Sequence, residues 1–123
     1  MLRTGVDLVD IDRIRQLATS GGHAFLDKIW TEAEQAYCDS SAERLAARWG
    51  AKEAVMKALG AGFPDIEHLD IEVLSTQGKA PRLRLTGYAA DYATSLNLTE
   101  WSLSLTHEGG LALAFVVATD QRA

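Results

Sequence analysis

Two carboxylates in this chain occupy places where a carboxylate is costly. Asp7 sits in the run TGVDLVDI, between Val6 and Leu8 and two residues after Gly5. Asp is disfavoured in strands. Glu53 sits in RWGAKEAVMKALG, residues 48–60, a run built from good helix formers. If the strand packs beside the helix, the two make a pair of hard oxygen donors. Two carboxylates completed by waters and substrate phosphates are a usual way to hold Mg²⁺. Arg44, Arg48, Lys52 and Lys57 lie on the same helix. Such cations suit a diphosphate whose oxygens are bridged by a metal. His107 closes a strand just before Glu108-Gly109-Gly110, from where it can reach a ligand. The same residues also fit plainer roles. Asp7 can face solvent while Val6 and Leu8 point inward, Glu53 and Lys57 can form an i,i+4 pair, and His107 can cap its turn. His23 and His68 have no supporting context.

The helix that carries these charges has an unusual wheel. At about 100° per residue, Leu45, Trp49, Val55, Met56 and Leu59 share one arc, and Arg44, Arg48 and Lys52 are interleaved with it. The opposite side is small: Ala46, Ala47, Gly50, Ala51, Ala54 and Ala58, broken by Glu53 and Lys57. An ordinary surface helix separates its apolar and polar faces. Here the small residues invite close packing and the long cationic stems lie across apolar surface, so the charges need partners.

The elements around it follow from periodicity. Residues 3–9 are β-branched-rich and predict a strand. Ile11, Ile14, Leu17 and Ala18 keep helical spacing until SGG stops it, and HAFLDKIW predicts a second, short helix. TEAE has capping-box spacing, with Thr31 as N-cap and Glu34 at N3. The long helix runs over residues 43–59 and stops at Gly60. LDIEVLS alternates Leu69, Ile71 and Val73 against Asp70 and Glu72, and RLRLTG alternates Leu83 and Leu85 against Arg82 and Arg84. QGKAP turns between them. YAADYATSL predicts a helix, and WSLSLTH with LALAFVVAT predicts a hairpin about EGG. The order β-α-α-α-α-β-β-α-β-β predicts an α+β fold, a mostly antiparallel sheet packed by helices.

The whole chain narrows the function class. Its 123 residues predict one domain over 1–123, and 47% hydrophobic residues can build a core. A net charge of −5 argues against nucleic acid as partner. A single cysteine, Cys38, forbids an internal disulfide and fits a reduced, cytoplasmic protein. The charged start MLRTGVDLVDIDR has no signal-peptide core, and LALAFVVA is too short to span a bilayer, so no membrane role is expected. No Walker A run, Rossmann glycine fingerprint, Ser-His-Asp or Cys-His arrangement is present.

Three segments together resemble one family. GVDLVDIDRI, LAARWGAKEAVMKALGAG and SLSLTHEGG, at this spacing and chain length, are similar to the holo-acyl-carrier-protein synthases, the small 4′-phosphopantetheinyl transferases. The resemblance implies transfer of 4′-phosphopantetheine from coenzyme A to a serine of an apo acyl carrier protein, or of a carrier domain of a fatty-acid synthase. Adenosine 3′,5′-bisphosphate is released. It implies that Asp7 and Glu53 bind Mg²⁺, and that Lys57 and His107 contact the diphosphate. Arg48 and Lys52 line the coenzyme A site, with Gly62 and Pro81 as further contacts. Glu53 or a water takes the serine proton. It further implies a homotrimer with shared active sites, and Arg13 docking an acidic helix of the carrier. A catalytically inactive trimeric module that only binds carrier or coenzyme A is the competing expectation. The chain departs from the family pattern at Gly78–Pro81, one residue longer than the usual Gly-x-Pro, at Gly50, where Ala is usual, at Asp12 beside Arg13, and in the short stretch CDSSAERL.

Overall fold

The computed structural model describes residues 1–120. It is an α+β fold in which one central helix is enclosed by two antiparallel sheets and the remaining helices. In chain order the elements are β1 (Leu2–Asp10), α1 (Ile11–Ile29), α2 (Glu32–Cys38), α3 (Ala42–Leu59), a 3₁₀ turn (His68–Asp70), β2 (Ile71–Leu74), β3 (Arg82–Leu85), α4 (Gly87–Ser95), β4 (Glu100–Glu108) and β5 (Leu111–Thr119).

Local signals place most boundaries. Asp10 ends β1 and caps α1, its carboxylate accepting from Asp12 N at 3.0 Å and Arg13 N at 3.4 Å. The capping box forms at α2: Thr31 Oγ1 accepts from Glu34 N at 3.2 Å and Glu34 Oε1 accepts from Thr31 N at 2.8 Å. Ser41 caps α3, and Gly60, at φ 72°, stops it in the left-handed conformation. The break expected at SGG is present inside α1: Gly22 (φ 59°, ψ −151°) is non-helical and separates two helical stretches. One glycine in a conformation open to glycine absorbs the break, so no loop is needed.

β1, β5 and β4 form one antiparallel sheet in that order, and β2 and β3 form a second. The register pairs Gly5 with Val116 and Asp7 with Ala114. α3 lies across this sheet at close range. A Cβ on Gly5 would stand 1.8 Å from the Ala54 carbonyl oxygen, so only glycine lets the helix backbone settle there. On β5 the facing residues are Ala112, Ala114, Val116 and Ala118, all buried. Small strand residues meet the small side of the helix. An Ala at Gly50 would press to 3.2 Å from Val9 Cγ2, so this departure relaxes a tight contact.

Two alternations read from the sequence are corrected. In β1 the inward set is Arg3, Gly5, Asp7 and Val9, while Val6 and Leu8 are exposed. Asp7 therefore faces α3, and the option that it faces solvent is excluded. The period of two allows either face, and the Gly5–Ala54 approach selects this one. In the second sheet Glu72, expected outside, is buried. It accepts from Thr31 Oγ1 at 2.6 Å and pairs with Arg84, its cross-strand neighbour. Leu69 lies in the 3₁₀ turn rather than the strand and is partly exposed.

Hydrophobic side chains gather on both sides of α3. One cluster joins Val55, Leu59, Ile66, Ile71, Val73 and Val116. The other joins Ile14, Ile29, Trp30, Cys38 and Leu45, with Trp30 Nε1 donating to Leu45 O at 3.1 Å. Among the described residues no helix is long and apolar enough to cross a membrane.

Candidate active site

Thirteen of the eighteen residues of α3 are buried, which removes the solvated face its charges lack. Each charge has instead found a separate local solution. Lys57 lies one turn beyond Glu53 and reaches across to β1, donating to Val6 O at 2.9 Å and Asp7 Oδ1 at 3.0 Å. Asp7 is thus presented by the strand and Glu53 and Lys57 by the helix. Glu53 and Lys57 line a cleft of about 600 Å³ together with Gly62, Phe63 and His68.

Burial pushes the Asp7 carboxyl above its usual range. Lys57 pulls it down by hydrogen bond and charge, and the Glu53 carboxylate pushes it up again. Glu53 is held below its usual range, first by the His68 imidazole and then by the charges of Lys57 and Arg13, against its partial burial. Asp7 and Glu53 therefore sense one another as like charges in a partly desolvated place. A divalent cation between them would relieve that repulsion. Among the described residues no group of three metal-ligating side chains converges. A cation held by Asp7 and Glu53 must draw its other ligands from water and substrate, which is the ligand habit of Mg²⁺. The donor set fits that ion.

A raised acid pKa has a definite sign in stability. Above its folded pKa, ionised Asp7 weakens the folded state; as pH falls toward the ordinary aspartate value of 3.8 the folded protein binds that proton first and the penalty disappears. Asp7→Asn should therefore melt no lower than wild type at pH 7. Its advantage over wild type should shrink as pH is lowered from 7 to 4, read from parallel thermal melts.

A second cationic group lies elsewhere. His107 is exposed at the end of β4 and lines a smaller cleft, about 210 Å³, with Arg44, Arg48 and Tyr37. Both guanidiniums approach the Tyr37 ring, Arg48 at 4.9 Å and Arg44 at 5.1 Å from its centroid. Arg48 Nη2 also donates to Ser75 Oγ at 3.0 Å, tying this group to the end of the β2–β3 hairpin. Pro81 precedes β3 and lines neither cleft. A single chain thus separates the expected site residues into two sets.

Residues 3–116 match the family described as the 4′-phosphopantetheinyl transferase superfamily. The chain belongs to it. Within it, the holo-[acyl-carrier-protein] synthase of Herpetosiphon aurantiacus is 51% identical, over 95% of this chain and 98% of that protein. That of Chloroflexus aurantiacus is 42% identical, over 96% and 98%. The Helicobacter pylori holo-[acyl-carrier-protein] synthase in complex with coenzyme A superposes with a TM-score of 0.85 at 28% identity, over 94% of this chain and 99% of that one. This membership, and the α+β fold, agree with the resemblance carried by the three sequence segments.

One expected contact in this synthase fold is corrected. Lys52 has no exposed surface. Its ammonium donates to Glu34 Oε1 at 2.7 Å, His68 O at 3.1 Å and Ile71 O at 2.5 Å, which uses all three protons. Lys52 pins α2 and the 3₁₀ turn to α3 and cannot line the coenzyme A site. Burial lowers its pKa, opposed by Glu34. Arg13 stands at the Asp7–Glu53 side, its guanidinium 5.9 Å from the Trp49 ring centroid. Asp12 bonds Arg15 at 3.0 Å and Gln16 at 3.0 Å rather than neutralising Arg13. His68 had no sequence signal. A lone histidine ahead of a strand has no pattern, and only the tertiary fold sets it against Glu53, fifteen residues away.

Proposed function

We infer that this chain is a holo-acyl-carrier-protein synthase. It moves 4′-phosphopantetheine from coenzyme A to the serine hydroxyl of an apo acyl carrier protein, or of a carrier domain in a fatty-acid synthase, and releases adenosine 3′,5′-bisphosphate. The observation that carries this reading is the inward turn of Asp7 onto α3, which brings it into one electrostatic group with Glu53 and Lys57. In the chemistry, the serine oxygen forms a bond to the β-phosphorus as the diphosphate bond breaks. Such transfers depend mainly on positioning and neutralisation of charge. Asp7 and Glu53 would hold Mg²⁺, which supplies positive charge to the diphosphate. Lys57, 58% exposed in its side chain, has surface free to meet a phosphate oxygen while it orients Asp7. Gly62 borders the same cleft. Arg48 and His107 supply cationic and hydrogen-bonding groups from the second cleft, and Arg13 offers the carrier's acidic helix a positive charge at the site's edge.

A homotrimer accounts for two further features. The face of the three-stranded sheet turned away from α3 exposes Leu2, Val6, Leu8 and Phe115, an apolar patch of the kind that marks an interface. Arg48 and His107 line a different cleft from Glu53 and Lys57, so a site that uses all four is completed between neighbouring subunits. The inactive-module alternative is not favoured, because both carboxylates and Lys57 are present and mutually placed. The domain works as one transferase unit over 1–123. Cys38 is buried and its thiol is pushed up to about 11 by desolvation, which suits an inert structural thiol in the cytoplasm.

The test is an intact-mass measurement of an apo carrier after incubation with the protein, coenzyme A and Mg²⁺. A gain of one phosphopantetheine, abolished by a chelator, is expected. No gain on a free carrier or on a synthase-embedded carrier domain, with the protein folded, would overturn the reading.

A further inference from the structure

His68 is nine-tenths buried, yet its Nε2 makes no hydrogen bond of acceptable geometry. That atom stands 3.3 Å from Glu53 Oε2. An unsatisfied buried nitrogen is costly unless something is gained from its position. The ring has little freedom to move elsewhere. Its face lies against Trp49, with centroids 5.0 Å apart, and Phe63 stands 6.3 Å away. Its backbone carbonyl accepts from Lys52 Nζ at 3.1 Å and from Ile71 N, which closes the 3₁₀ turn. Lys52 and Glu53 are successive residues of α3. The buried ammonium thus fixes the loop that carries His68, and the adjacent residue receives the ring.

We propose that His68 is a positioning residue for Glu53: its Nε2–H engages Oε2 and so turns the other carboxylate oxygen toward Asp7 and the cleft. The proposal rests on the transferase reading, in which Glu53 is a cation ligand. A carboxylate oriented by an outer donor binds a metal more tightly than one free to rotate, and loss of such a donor commonly costs about 10–100-fold in metal affinity or activity.

Three proteins decide it: wild type, His68→Phe and His68→Gln. Phe keeps the aromatic packing and removes the donor, while Gln restores a donor on a non-aromatic chain. Mn²⁺ binding to each, without coenzyme A, is followed by electron paramagnetic resonance, with thermal melts and Mg²⁺-dependent transfer in parallel. His68→Phe should weaken Mn²⁺ binding about tenfold and raise the Mg²⁺ concentration for half-maximal transfer by a similar factor. Its melting temperature should hold, and His68→Gln should recover most of the affinity. Equal Mn²⁺ affinity in wild type and His68→Phe would overturn the positioning role and leave the transferase reading standing. Wild type that binds no Mn²⁺ and transfers in the presence of chelator would overturn the positioning role together with the cation site, and folded wild type that transfers under no condition would overturn the transferase reading. If His68→Phe melts early, His68→Met replaces it as the variant without a donor, and the same comparison applies.

Discussion

Glu53→Gln is expected to reduce phosphopantetheine transfer by about 10²–10³-fold, the scale seen when one preorganised charge-stabilising group is removed from an active site. The substitution keeps the length and shape of the side chain and the helix propensity of the position. It removes the negative charge that, with Asp7, would hold the cation. Glu53 is partly exposed, 33% in its side chain, so its neutralisation leaves no buried charge without a partner. The melting temperature should therefore stay close to wild type, and raising Mg²⁺ should recover only part of the rate. The measurement is initial transfer rate across a Mg²⁺ series, beside a thermal melt. A variant with full activity at ordinary Mg²⁺ would remove Glu53 from the metal site. Lys57 on the same helix should not compensate, because its ammonium already bonds Val6 O and Asp7.

Lys52→Met addresses the opposite kind of charge. The Lys52–Glu34 pair has no exposed side-chain surface on either partner. Glu34 Oε1 also accepts from Thr31 N, and Oε2 accepts from Val73 N at 2.8 Å. One carboxylate therefore joins the start of α2, the centre of α3 and strand β2. Removing one member of such a pair strands the other, at a cost of about 3–5 kcal/mol. Methionine fills most of the space, so the loss is chiefly electrostatic. Denaturant unfolding at one fixed protein concentration measures it, since assembly would make stability depend on concentration. Adding Glu34→Gln to Lys52→Met should restore part of the loss: no charge is left stranded at the pair and the Gln oxygen can keep the Thr31 N–H of the capping box, while its NH2 donor replaces the acceptor that Val73 N used. Two single losses that merely add in the double variant would mean the two side chains are not coupled. Transfer activity of folded Lys52→Met should fall as well, because Lys52 holds the His68 carbonyl.

Much of this protein was settled by its residues alone, wherever one local force had no competitor. Thr31 and Glu34 satisfy each other's backbone within one turn, Gly60 ends a helix because it tolerates φ 72°, and EGG closes a hairpin because Gly109 and Gly110 accept positive φ. The three family segments, with Asp7, Glu53, Lys57 and His107 inside them, were legible as sequence too. Tertiary structure decided whatever depended on a choice between equal local options. The alternation of β1 permits either face inward; the contact of Gly5 with the Ala54 carbonyl turned Asp7 in and Val6 and Leu8 out. The wheel of α3 showed that its charges needed partners but not which. Packing gave the buried Lys52 to Glu34 and Arg48 to Tyr37 and Ser75, because desolvation makes each buried charge take the nearest complementary group, and it set the exposed Lys57 beside Asp7. His68 belongs wholly to that second category: nothing near it in sequence marks it, and its meaning comes from the 3.3 Å that separates it from Glu53.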